Sequence, residues 1–191
     1  INPTDTLKEY IQDGLGRPYI PGSSIKGAIR TAVLASCCKE RDNLEQYARN
    51  KSGKVTAKII EQNNGNILIS SRNPGNRLMN ISNSNGTGWA TQWKNNDIWG
   101  ASCNGDMILY TSTIDGYNKN RLLHSIPWAE DRRNVSVLIS YDEGKTWGYR
   151  KTICSKNSAY SALNILPDGT IGCLIEDQSI AGGYSMRFVC F

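Results

Sequence analysis

The eight residues Ser140-Tyr141-Asp142-Glu143-Gly144-Lys145-Thr146-Trp147 read S-x-D-x-G-x-T-W, a pattern that suits a tight hairpin and little else. The aspartate caps backbone amides, the glycine accepts a positive φ, and the tryptophan packs the hairpin onto its own sheet. A weaker copy, Ser82-Asn83-Ser84-Asn85-Gly86-Thr87-Gly88-Trp89, begins 58 positions earlier (140 − 82) and keeps the Ser, Gly and Trp. The Asp and Thr are lost in the copy. A motif that recurs at this spacing is the mark of a repeated small antiparallel sheet.

The surrounding sequence agrees. From Lys54 onward, short apolar runs at 58–60, 67–71, 107–110, 135–140, 162–166, 171–175 and 186–191 alternate with polar clusters. Asn64-Gly65, Asp115-Gly116, Glu143-Gly144 and Asp168-Gly169 supply turn signals between them. The expectation is an all-β meander, sandwich or propeller, and the repeat favours a partial β-propeller.

The first 50 residues follow another grammar. Thr4 or Asp5 can cap a short helix that ends at Gly14 and Gly16. After Pro18 and Pro21, Ser23 and Ser24 stand at an N-cap before Ile25, Ala28, Ile29, Ala32 and Val33, the apolar stripe of a packed helix. The expected fold class is therefore mainly β, with partial propeller blades over 51–191 preceded by a short α-helical segment and linker over 1–50.

Composition excludes more than it selects. A net charge of +5 permits a nucleic-acid or membrane partner without demanding one. No apolar run approaches the ~20 residues that cross a bilayer as a helix. Six cysteines lack a CxxC pair, and His124 is the single histidine, which argues against a Cys/His zinc site and against Ser-His or Cys-His chemistry away from His124. The cysteines are read as small buried apolar residues, and His124 as a surface or packing residue. No metal or cofactor is implied.

Ordered motifs in the β half carry a family resemblance. Gly65-Asn66-Ile67-Leu68-Ile69-Ser70-Ser71-Arg72-Asn73 is followed by Arg121 to Pro127, Arg132-Arg133-Asn134, the hairpin motif, Ser158-Ala159-Tyr160-Ser161-Ala162-Leu163, and Leu166 to Leu174 with Glu176. In this order they resemble the C-terminal half of a bacterial sialidase (neuraminidase), a six-bladed propeller with Asp-box (BNR) hairpins. The resemblance implies a retaining glycoside hydrolase acting on sialylated glycans. It assigns the substrate carboxylate to Arg72 and Arg132, with Arg133 as rival to Arg132, and the nucleophile to Tyr160. The chemistry is coherent. Arginines bind a carboxylate through charge-assisted bidentate hydrogen bonds, and a neutral tyrosine avoids the repulsion a carboxylate nucleophile would meet.

The same resemblance calls for a glutamate general base about sixteen residues before Arg72, where this chain has Thr56. Glu61 lies nearby but matches a surface position on a following strand. The first arginine and the aspartate general acid belong to the half not represented here, so the expectation is an incomplete catalyst. Two to three blades of six leave open sheet edges that self-association or a partner chain would complete. A non-catalytic carbohydrate-binding propeller fragment is the third reading.

Residues ~5–40 carry a second resemblance. Leu7 to Gly14, then Gly16-Arg17-Pro18-Tyr19-Ile20-Pro21-Gly22-Ser23-Ser24-Ile25-Lys26-Gly27-Ala28-Ile29-Arg30-Thr31, is similar to RAMP proteins of type III CRISPR complexes, nearest the Csm type. This implies CRISPR RNA held through residues 20–31, with Ser23, Ser24, Lys26 and Arg30 at the phosphates. The two resemblances imply different compartments, secreted or periplasmic for a sialidase and cytoplasmic for a CRISPR subunit, and the chain reads as two family pieces joined.

Overall fold

The computed structural model describes residues 57–89, 91–178 and 183–191, and every regular element among them is a β-strand. The helices expected at 4–13 and 23–33, and Thr56, lie outside the described residues.

Four strands form the first sheet in sequence order: β1 (Ala57–Glu61), β2 (Ile67–Ser71), β3 (Gly75–Ser82) and β4 (Thr91–Gly100). The rest form a six-stranded antiparallel sheet: β5 (Asp106–Thr111), β6 (Arg121–Pro127), β7 (Arg133–Ser140), β8 (Tyr149–Ile165), β9 (Ile171–Asp177) and β10 (Ser185–Cys190). β8 joins two blades in this second sheet. Tyr149 to Asn157 pair with β7, then a register shift hands Ser158 to Ile165 over to β9. The arrangement is that of successive propeller blades, β1–β4, β5 to early β8, and late β8 to β10.

The core lies between blades. Ile60, Leu68, Met79 and Ile98 of the first pack against Met107, Leu122, Ile126, Leu138 and Trp147 of the second. On its other side, the second blade's Leu123, Val135, Val137 and Cys154 meet Leu163, Cys173 and Ile175 of the third. Strand alternation produces both layers, because Leu122 and Leu123 point to opposite faces. Each fully buried side chain of this kind contributes about 1.5–3 kcal/mol. β10 is an edge strand that leaves Met186 and Phe188 exposed.

Both hairpin motifs have one geometry. Ser140 Oγ accepts the Gly144 amide at 2.9 Å and the Asp142 amide at 3.4 Å, and Ser82 Oγ accepts the Gly86 and Ser84 amides at the same two distances. Gly144 (φ 84°) and Gly86 (φ 82°) take the positive φ. Only the first motif has the aspartate, whose two oxygens accept the Thr146 amide and hydroxyl at 2.9 and 2.6 Å. These bonds outweigh partial burial and hold the Asp142 carboxyl below its ordinary range.

Of the two readings of His124, surface or packing, the structure shows packing: it is fully buried, 2.8 Å from Ser70 Oγ through Nε2, with its ring edge-on to Trp147. The reading of the cysteines needs one correction. Cys103, Cys154 and Cys173 are buried as expected, but Cys190 is exposed on the edge strand.

Candidate functional site

One end of the blades collects the polar groups. Arg72 follows β2, Arg132 immediately precedes β7, and Tyr160 stands where β8 enters the third blade, so second-strand exits and a first-strand entry meet at the same end.

Tyr160 is half-buried and packs on Ala101, Cys103 and Ala159. Its amide meets Glu176 Oε2 at 3.4 Å, which gives that glutamate a structural task. The Arg132 guanidinium carbon lies 5.1 Å from the Tyr160 ring centroid, within cation–π range. Burial lowers the pKa of Arg132, but the Cys103 thiol and the hydroxyls of Tyr184 and Tyr160 together outweigh it and hold the group above its ordinary value. Arg133 is engaged elsewhere, 2.7 Å from Asp131 in an exposed ion pair.

Arg72 is anchored along one edge. Nε donates to Ser102 Oγ at 3.2 Å and Nη2 to the Ser102 carbonyl at 2.6 Å. A guanidinium has five N–H donors, so its end-on Nη1/Nη2 edge retains donors for a planar two-oxygen acceptor.

A third arginine stands behind these two. Arg77 is 1% exposed, with Nε donating to Ser70 Oγ at 3.2 Å and Nη1 to the Cys103 carbonyl at 2.9 Å. Burial pulls its pKa down to about 10, which still leaves it charged at neutral pH. Arg132, Arg72 and Arg77 all act electrostatically on the Cys103 thiol, yet burial dominates and keeps that thiol above its ordinary pKa. Three cations thus surround one buried, neutral thiol. The salt bridges of the described residues join Lys58 to Asp106, Arg133 to Asp131 and Arg187 to Asp177, and none involves these three arginines.

Such an arrangement can receive an anion at its open end. The residues Arg72, Arg132 and Tyr160 gather around Cys103, whereas Arg133 does not, and Ser23, Ser24, Lys26 and Arg30 lie outside the described residues. Sequence reasoning missed Arg77, Ser102, Cys103 and Tyr184. Arg77 carried a signal, since it shares strand parity with Met79 and Ile81 and so stands as a charge at a core position. Among the described residues no group of His, Cys, Asp and Glu could hold a metal ion.

The blades define a sialidase-like propeller sheet. An intramolecular trans-sialidase from Ruminococcus gnavus superposes with a TM-score of 0.61 at 24% identity, over 74% of this chain and 33% of that one. A sialidase from Micromonospora viridifaciens is 26% identical over 125 residues, 62% of this chain and 19% of that protein. The CRISPR system Cms protein Csm5 of Streptococcus thermophilus is 57% identical over 28 residues, 15% of this chain and 8% of that protein. The RAMP superfamily model matches residues 2–153, and the chain belongs to that superfamily. The superfamily match and the sialidase-like blades overlap over residues 57–153, and the chain spans about a fifth or less of the length of either curated relative.

Proposed function

We propose that residues 57–191 carry the carboxylate-recognition part of a sialidase-type site, which holds the anomeric carboxylate of a sialylated glycan. The observation that supports this reading is the convergence of Arg72, Arg132 and Tyr160 around Cys103. Arg72 offers its end-on edge to the carboxylate, Arg132 a second cation, and Tyr160 occupies the nucleophile's position beneath it. The chain is an incomplete catalyst in this reading. A neutral tyrosine hydroxyl is a weak nucleophile and needs a general base to activate it. Thr56 stands where the glutamate is called for, and among the described residues no carboxylate hydrogen-bonds the Tyr160 hydroxyl. Self-association or a partner chain would complete the propeller. The test is release of a fluorophore from a sialic acid conjugate, with Tyr160→Phe as control. No release is expected, and release abolished by the substitution would overturn the claim of incompleteness.

The superfamily match over residues 2–153 favours a second reading, guide-RNA binding through Ser23, Ser24, Lys26 and Arg30. It requires RNA affinity that falls steeply with salt and weakens in Lys26→Ala and Arg30→Ala. RNA binding unchanged in both variants would refute it.

A further inference from the structure

We infer that Arg77 is a positioning residue for the carboxylate site: from the buried side, it fixes the Ser102–Cys103 strap that orients Arg72. This rests on the sialidase-type reading for its ligand, but its geometry stands independently.

Two arginines grip successive carbonyls of one short connection between β4 and β5. Arg72 Nη2 donates to the Ser102 carbonyl at 2.6 Å from the open side. Arg77 Nη1 donates to the Cys103 carbonyl at 2.9 Å from the closed side. The Cys103 side chain is meanwhile packed with Ala101 and Ala159 beneath Tyr160. If the Cys103 carbonyl loses its donor, the strap is released on one side, and the acceptors that orient Arg72 move with it.

Arg77 is itself held firmly. Its Nε–H donates to Ser70 Oγ at 3.2 Å, and Ser70 Oγ is hydrogen-bonded to His124 Nε2 at 2.8 Å. Trp147 stands edge-on to that imidazole at 5.7 Å between ring centroids. The hairpin motif thus buttresses the site through Trp147, His124, Ser70, Arg77 and the Cys103 carbonyl, in that order. A lysine at position 77 keeps the charge but lacks the planar fork that spans Ser70 and the Cys103 carbonyl together.

The experiment uses the full chain labelled with nitrogen-15. The Arg72 Nε–H cross-peak is assigned by its loss in Arg72→Lys, and N-acetylneuraminic acid is titrated in parallel. Arg77→Lys is expected to broaden or shift the Arg72 Nε–H signal and to weaken N-acetylneuraminic acid at least tenfold. Ser70→Ala, which removes the acceptor of Arg77 Nε and the partner of His124 Nε2 but leaves the Arg77 side chain in place, serves if Arg77→Lys does not fold, and should move the same signal. An Arg72 signal unchanged in a folded variant overturns the proposal and leaves Arg77 as core filling. If wild-type protein ignores N-acetylneuraminic acid while the Arg72 signal still responds to position 77, the sialidase-type reading fails and the positioning role stands.

Discussion

The Arg132 guanidinium carbon sits 5.1 Å from the centroid of the Tyr160 ring, although the two residues come from different blades. The ring fixes the cation's orientation and shields one of its faces from water, which strengthens its attraction for an anion. Tyr160→Phe retains the ring and should leave N-acetylneuraminic acid affinity within about twofold. Tyr160→Ala removes it and should cost about 0.5–2 kcal/mol of binding. Calorimetric titration of both variants checks this, and equal losses would place the interaction in the hydroxyl instead.

Stability should depend strongly on the hairpin motif. Trp147 is 2% exposed, sits in the layer between the first two blades, and donates Nε1–H to the Gly144 carbonyl at 3.0 Å. Trp147→Ala should cost about 3–5 kcal/mol. Gly144→Ala combines φ 84° with a new Cβ only 2.5 Å from Leu68 Cδ2, whereas Gly65→Ala at φ 81° meets nothing within 4 Å. Urea denaturation should therefore rank Gly144→Ala as clearly more destabilising than Gly65→Ala.

The strands missed by sequence reading show why polar residues mislead. β2 at Ile67–Ser71 was legible because it is a continuous run between turn signals. β3 and β4 were not. β4 reads TQWKNNDIWG, yet Asn95 donates to the Lys145 carbonyl at 3.1 Å and Asp97 accepts the Trp147 amide at 2.9 Å. Its inward polar groups are satisfied by a hairpin 50 residues away, which no local pattern records. β8 was read only at 162–166 because a strand that changes partner half-way, from β7 to β9, changes which parity is buried. At the site, motif order singled out Arg72, Arg132 and Tyr160, while Cys103 acquires its place from tertiary contacts and Arg77 left only its core parity in β3 as a sign.

Acid should weaken the fold through His124. Burial, and secondarily the charge of Arg77, hold its pKa well below the ordinary 6.5. The unfolded chain therefore binds a proton that the folded chain refuses, so stability is full above pH 6.5 and declines as pH falls below it. The slope should approach about 1.4 kcal/mol per pH unit from roughly one unit below the unfolded value. Asp142, held below 3.8, adds its own loss only at lower pH. Urea midpoints between pH 5 and 8 measure the slope, and His124→Gln should flatten it.

Thiol labelling tests the buried hub. Cys103 and Cys173 are fully buried, and burial raises both thiols, that of Cys173 to about 12. Cys190 is exposed. Brief treatment of native protein with iodoacetamide, followed by peptide mass mapping, should find Cys190 modified and Cys103 and Cys173 protected. Rapid modification of Cys103 would contradict the packing that gathers the three arginines.

Recognition of a carboxylate is separable from other binding by a paired titration. N-acetylneuraminic acid and its methyl ester differ at that group alone, which is charged in the first and neutral, capped by a methyl, in the second. Chemical-shift changes confined to Arg72, Arg132 and their neighbours are expected with the acid, together with at least tenfold weaker binding of the ester and loss of acid binding in Arg72→Ala. Equal binding of acid and ester, or acid binding that survives Arg72→Ala and Arg132→Ala together, would contradict it.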